Sequence, residues 1–382
     1  MLTRRTFNAT LGAATLSAAA GRGVAQAYRG PNVILIRFGG GVRRFETIDP
    51  QGTYAPFMLN RLARRGVLIP DMAIDQLEGG DTSHAEGTLN LLTGRYRAYR
   101  DVREGLQLDR LEPTSPTLFE YFREAFDVPS HEVLLINGED RPQEEFFTFG
   151  MNPHYGIAYR SEMLSLHRFK MYKTAQQLAE GGLTDEARAA VEEERAKLLS
   201  VDHREMAPEQ SRPIQAFWEG WRRDFGDDGL RNPRGDRLLT ALATRAMAEL
   251  QPRLMMVNYQ DPDYVHWGNA SHYTRAIAII DEGIERIVAA ADADPFYRDN
   301  TVFVITPDCG RDANPLMDVP FQHHFNSRAA HETWALVLGP GITRDRVYDR
   351  QVDQSAVAAT IAAAMGFTAH EAETRALSAL FT

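Results

Sequence analysis

Four short segments concentrate side chains able to bind a metal, cradle an anion or attack an ester. The first is Phe38-Gly39-Gly40-Gly41-Val42-Arg43-Arg44, directly after the apolar run Val33 to Ile36. Its glycines let backbone amides approach an anion, and Arg43 and Arg44 can add positive charge. The same residues would also suit a tight turn with both arginines in solvent. The second runs from Gly79 through Asp81, Thr82, Ser83, His84 and Glu86 into Thr88-Leu89-Asn90-Leu91-Leu92-Thr93-Gly94. It clusters hydroxyls where a helix begins, and that end of a helix favours an oxyanion and acidifies an attacking hydroxyl. Ser and Thr are also ordinary helix caps. The third, after Leu254 to Val257, places Asp261, Asp263 and His266 within six residues. That is the mixed oxygen and nitrogen donor set of zinc or manganese. The fourth is Thr306-Pro307-Asp308-Cys309-Gly310, followed by His323, His324 and, 23 residues after Asp308, His331. Surface Asp and His residues are common, but ligand types placed after successive buried strands point to a site.

The elements that must position these segments are legible as alternating patterns. Val33 to Ile36, Val133 to Ile136, Leu254 to Val257, Val302 to Ile305 and Trp334 to Leu338 are short, nearly continuous apolar runs, as expected of strands buried on both faces of a sheet. Tyr273, Ile277, Ile280, Ile284 and Ile287 recur at helical spacing and form one buried stripe. Thr117 and Glu120 form a capping box ahead of Leu118-Phe119-Glu120-Tyr121-Phe122. Strands alternating with helices predict an α/β fold, a three-layer α/β/α sandwich around a mostly parallel sheet. Residues from about 150 to 235 break the alternation, with a charged helix from Thr184 to Lys197 and an aromatic, Arg-rich stretch at Phe217, Trp218, Trp221, Arg222 and Arg223. They predict a helical insertion, placed over the carboxyl edge of the sheet where open α/β sheets bind ligands.

Residues 1 to 27 carry an address. Thr3-Arg4-Arg5-Thr6-Phe7 precedes an Ala-rich apolar stretch from Leu11 to Ala20, and Ala25-Gln26-Ala27 is a small-residue cleavage pattern. This resembles a twin-arginine signal and predicts export, to the periplasm or beyond, of a chain folded beforehand; an N-terminal anchor is the alternative. No later run reaches the roughly 18 apolar residues of a spanning helix, so no stable membrane anchor is expected in the mature chain. The net charge of −10 excludes a basic nucleic-acid footprint. An anionic small substrate must therefore meet local positive charge. Cys309 is the single cysteine, so no intrachain disulfide framework exists.

In their order along the chain, these segments resemble the alkaline phosphatase superfamily, which includes nucleotide pyrophosphatase-type phosphodiesterases, sulfatases and cofactor-independent phosphoglycerate mutases. The most specific parts are Leu91-Leu92-Thr93-Gly94-Arg95-Tyr96, the stretch from Asp263 to Gly268 with its following helix, Val304-Ile305-Thr306-Pro307-Asp308, and Leu338-Gly339-Pro340-Gly341. The resemblance implies hydrolysis of a phosphate or sulfate ester through a Ser or Thr nucleophile, aided by one or two divalent ions. Zinc is the first expectation, with manganese or calcium as alternatives. It puts the nucleophile ten residues before Gly94, on His84; a one-residue insertion would bring Ser83 there, with Thr82 as the rival. It draws the first metal site from Asp263 or Asp261, His266 and a late histidine, most simply His331. The usual separation of aspartate and histidine is four, against three from Asp263 and five from Asp261. For the second site, the usual aspartate after the first strand falls on Gly39 and the usual histidine falls on Cys309, leaving Asp308. Cys309 could bind as a thiolate or lie inert, and Asp81, His84, Glu86 or His324 could compensate. With half of a two-metal clamp missing, a phosphodiester or sulfate ester suits the weaker field better than a phosphate monoester. The alternative is a non-catalytic metal- or ligand-binding protein built on the same fold.

Overall fold

Strand β1 (Asn32–Arg37) is buried along its whole length and alternates between two cores. Val33 and Leu35 face one, Ile34 and Ile36 the other. The computed structural model describes residues 27–74, 82–101, 111–138, 146–201, 209–230, 234–267, 269–312, 321–323 and 327–382. The export signal expected over residues 1 to 27 lies, apart from Ala27, outside the described residues, as do Asp81, Gly268 and His324. Among the described residues no helix is long and apolar enough to cross a membrane.

In chain order the elements around β1 are α1 (Arg44–Thr47), β2 (Gly66–Ala73), α2 (His84–Thr93), the hairpin β3 (Tyr99–Asp101) and β4 (Leu111–Pro113), α3 (Leu118–Phe126) and β5 (Val133–Ile136). Then follow β6 (Glu162–Leu164), α4 (Leu166–Glu180), α5 (Asp185–Val201), α6 (Arg212–Phe225), α7 (Asp236–Leu250), β7 (Leu254–Asn258) and α8 (Ala270–Ala293). The chain closes with β8 (Thr301–Thr306), α9 (Arg328–His331), β9 (Glu332–Leu338), β10 (Arg346–Val347), β11 (Val352–Asp353) and α10 (Ala356–Met365). The main sheet has the order β10-β2-β9-β8-β1-β7-β5-β6, with β11 also on β2. All its recorded pairings are parallel except those of β9, which runs against both β2 and β8.

One core packs α6, α7 and α8 against the sheet through Trp218, Leu239 and the Ile277 to Ile287 stripe. The other packs α2, α3 and α10 through Leu91, Phe119 and Ile361. This is the expected three-layer α/β/α sandwich. At ~1.5–3 kcal/mol for each fully buried large apolar side chain, the two cores dominate the favourable side of folding. The segment from about 150 to 235 is helical in α4, α5 and α6, yet it also supplies β6, which pairs with β5 at the sheet edge. Phe169, Phe217, Trp218 and Trp221 lie in the core on the sheet face, so α4 and α6 pack into the main body. Strand β2 is absent from the sequence-based expectations because Pro70 interrupts its apolar run, and its pairing with β9 shifts register between Ile69 and Met72.

Helix α3 starts with the predicted capping box, and the buried Glu120 carboxylate does more than cap. It accepts from the Thr117 amide at 2.7 Å, the Thr117 hydroxyl at 3.0 Å, and the Gly150 and Gly156 amides at 2.9 Å each. Gln at this position replaces an acceptor oxygen with a donor and leaves buried amides unpaired. Glu120→Gln is expected to lower unfolding stability by ~1–3 kcal/mol, measured as a shift in urea midpoint with an unchanged slope.

Candidate active site

Parallel neighbours β8, β1 and β7 end side by side, so the turns after them meet at one carboxyl edge. Asp308 follows β8 and is fully buried. Its Oδ1 accepts from the Cys309 amide at 2.9 Å and the Gly41 amide at 3.2 Å. Its Oδ2 lies 2.6 Å from His84 Nδ1 and 3.6 Å from the Arg37 guanidinium. Burial alone would raise the pKa of this carboxyl, but His84 and Arg37 outweigh it and hold the group well below the usual range. The other ring nitrogen of His84, Nε2, lies 2.6 Å from Asp263 Oδ1. Burial opposes a charged imidazole here, whereas Asp263 and Asp308 favour it and raise its pKa well above the ordinary value.

Asp263 Oδ1 is also 3.3 Å from His266 Nε2 and 3.4 Å from His323 Nε2. These three residues form one group able to hold a metal ion; His84, Cys309 and His323 form another. In the first group, His266 and His323 stand 3.3 and 3.4 Å from Asp263 Oδ1, separations that suit the edges of a tetrahedron with zinc–ligand bonds of ~2.0–2.1 Å, and all three donor atoms lie within 4.8 Å of one another. Both histidines are oriented as metal ligands usually are, with the distal nitrogen on a backbone carbonyl. His323 Nδ1 is 3.0 Å from the Thr82 carbonyl, and His266 Nδ1 is 3.4 Å from that of Phe321. The donor set therefore fits one divalent ion.

Two buried arginines that the sequence reading did not single out hold this edge together. Arg311 donates to the carbonyls of Gly41 at 2.7 Å, Val265 at 2.5 Å and Phe321 at 2.7 Å, and also to that of Gly40. One guanidinium thus ties the glycine turn, the Asp263–His266 loop and the segment carrying His323. Arg37 donates to Thr88 Oγ1 at 2.5 Å and the Tyr259 carbonyl at 3.3 Å, coupling β1 to α2 and to the turn after β7. An arginine closing a fully buried apolar strand was the available signal for Arg37. Gly87 completes the approach of α2: a Cβ there would lie 2.4 Å from the Asp308 carbonyl oxygen.

Of the residues singled out from the sequence, Asp263, His266, Asp308 and Cys309 come together, joined by His84 and His323. The late histidine of the group is His323. His331 is buried but tied back on its own short helix, its Nδ1 2.8 Å from the Ser327 carbonyl. Asp261 turns toward the start of α7 and accepts from the Asp236 amide at 3.2 Å. Arg43 pairs with Glu46, and Arg44 binds Asp71 at 3.0 Å and the Thr333 and Met72 carbonyls at 2.9 Å. Thr82 donates its hydroxyl to the His323 carbonyl. Ser83 caps α2, its Oγ accepting from the Glu86 amide and donating to Glu86 Oε2, both at 3.3 Å. Cys309 Sγ lies 3.9 Å from His84 Nδ1. Tyr264 and Trp267, beside Asp263 and His266, are 71% and 77% exposed.

No sequence-family model and no curated protein matches the chain. Solved structures do match. An alkaline phosphatase PafA variant superposes with a TM-score of 0.57 at 9% identity, over 94% of this chain and 100% of that one. A protein in the alkaline phosphatase superfamily from Vibrio parahaemolyticus gives 0.53 at 13% identity, over 92% and 71%. The fold is that of the alkaline phosphatase superfamily. A phosphonate monoester hydrolase from Silicibacter pomeroyi matches comparably, at 0.52 and 15% identity over 93% and 76%. Within the alkaline phosphatase fold, the expected nucleophile position holds an imidazole that bridges two carboxylates.

Burial, and then the charge on Asp308, push the Cys309 thiol up to about 11. Native protein should therefore resist an aromatic disulfide reagent at about pH 8 and react fully once unfolded, because the thiolate is the reactive form. Rapid labelling of the native chain would show the thiol to be accessible and ionised.

Proposed function

We propose that this chain is a metal-dependent hydrolase of phosphate or sulfate esters, with a phosphodiester or sulfate ester favoured. The supporting observation is the Asp263, His266 and His323 group, whose donors are spaced and oriented for one ion at the edge where α/β sheets bind ligands. Such an ion, zinc first and manganese or calcium as alternatives, supplies Lewis-acid polarisation of an ester oxygen or lowers the pKa of a water.

The chain's own residues do the rest. Ser83, rather than Thr82, is the proposed nucleophile, because the Thr82 hydroxyl is committed to a backbone carbonyl and Ser83 Oγ has the Glu86 carboxylate in reach to take its proton. Attack on phosphorus or sulfur forms an ester to Ser83 Oγ as the bond to the leaving oxygen breaks, and the proton held by Glu86 passes to that oxygen as the alcohol leaves; water then cleaves the Ser83 ester and restores the serine hydroxyl. The amide end of α2, which Ser83 caps, stabilises the negative charge that develops. Tyr264 and Trp267 offer exposed rings beside the ligand loop for the leaving group. The twin-arginine-like start, with Arg4 and Arg5 ahead of the apolar stretch from Leu11 to Ala20, supports an exported location. The alternative, a metal-binding protein without turnover, is favoured by the burial of both candidate hydroxyls.

The test is hydrolysis of an aryl sulfate and a bis-aryl phosphate by the mature chain. His266→Ala and Asp263→Asn should each lower kcat/KM by at least about 100-fold, two tenfold steps of ~1.4 kcal/mol. A chelator should remove activity and the ion restore it. Ser83→Ala should abolish the burst of aryl alcohol that a covalent intermediate produces. Equal rates in wild type and His266→Ala would sink the catalytic reading and leave the binding one.

A further inference from the structure

We infer that His84, with Arg37 behind it, occupies the place of a second cation between Asp308 and Asp263, so that the centre takes a single divalent ion. This rests on the proposal that Asp263, His266 and His323 hold the ion, and adds that no second one is accommodated.

The distances separate two kinds of contact. His266 and His323 stand 3.3 and 3.4 Å from Asp263 Oδ1, as donors grouped around one ion do. His84 stands 2.6 Å from Asp263 and 2.6 Å from Asp308, direct hydrogen-bond contact with no ion between. The ring nitrogens tell the same story. His266 and His323 each place one nitrogen on a backbone carbonyl and turn the other to the shared carboxylate. His84 places both nitrogens on carboxylates and keeps neither for an ion.

The rest of the place is filled as well. Asp308 Oδ2 already faces the permanent charge of Arg37 at 3.6 Å. Its Oδ1 is taken by two backbone amides. No carboxylate can stand at Gly39, where a Cβ would lie 2.0 Å from the Tyr259 carbonyl oxygen and 2.7 Å from Arg37 Nε. The group of His84, Cys309 and His323 would have to take His84 from Asp308 and His323 from Asp263, so it competes with the first group rather than adding to it.

The experiment counts ions, not turnover. The mature chain is incubated with excess zinc and, separately, manganese, gel-filtered, and analysed for metal per chain by mass spectrometry. Wild type should retain one equivalent, and His266→Ala should lose it. Asp308→Asn and His84→Gln should each keep at least that one equivalent, because neither side chain holds the ion. Two equivalents in wild type, or a loss of one in Asp308→Asn or His84→Gln, overturns the inference while leaving the hydrolase reading standing. No equivalent in wild type overturns both. Cooperative thermal unfolding qualifies each variant, and should Asp308→Asn fail to fold, the wild-type count and His84→Gln decide the question.

Discussion

The structure turns on one buried carboxylate. Asp308 has no exposed surface, and an ionised carboxylate in that position is tolerated only with compensating charge and hydrogen bonds. Two backbone amides, one imidazole and one guanidinium supply them, and each comes from a different place: the turn after β8, the glycine turn after β1, the start of α2 and the end of β1. Satisfying this one charge therefore fixes how the sheet edge meets the start of α2, where Thr82 and its cap Ser83 lead into His84. Because a missing partner would leave a charge buried and unpaired, the arrangement specifies one geometry more strongly than its net energy would suggest.

Arg311 extends the same logic to the backbone. Carbonyl groups in tight turns at the end of a sheet have no ladder partners, and a single buried guanidinium accepts the role for four of them. The glycine turn, the loop bearing Asp263 and His266, and the segment bearing His323 are thereby held in register. A flexible ammonium could neutralise some of this but could not reach four acceptors from a planar fork. Preorganisation of the donor group is thus a consequence of hydrogen-bond satisfaction in the turns beneath it.

Much of the fold was legible. The run Val133 to Ile136 is β5 to the residue, Leu254 to Val257 is β7 less one residue, and the isoleucine stripe is the buried face of α8. These are elements whose local pattern and burial agree. β2 was not legible because Pro70 breaks the pattern, and β6 is too short at three residues to show periodicity. Between Asp261 and Asp263, spacing alone could not choose; in the fold Asp261 accepts from the Asp236 amide at the start of α7, whereas Asp263 lies with His266 and His323. The late histidine expected from the sequence was His331, but His323 stands beside Asp263, because which histidine reaches that carboxylate depends on turns tied down by Arg311.

Hydrophobic period and residue chemistry, which act locally, were enough to show the layers of the sandwich and the strands whose ends bear the ligand types. The departure at Gly39 and Cys309 is what the resemblance to the alkaline phosphatase superfamily implies. The assembled fold alone brings His84 between Asp263 and Asp308, sets His323 rather than His331 beside Asp263, and lets Arg37 and Arg311 hold the edge together. Those contacts bring together residues far apart along the chain. Their existence depends on which strands lie side by side and on which buried charges must find partners there.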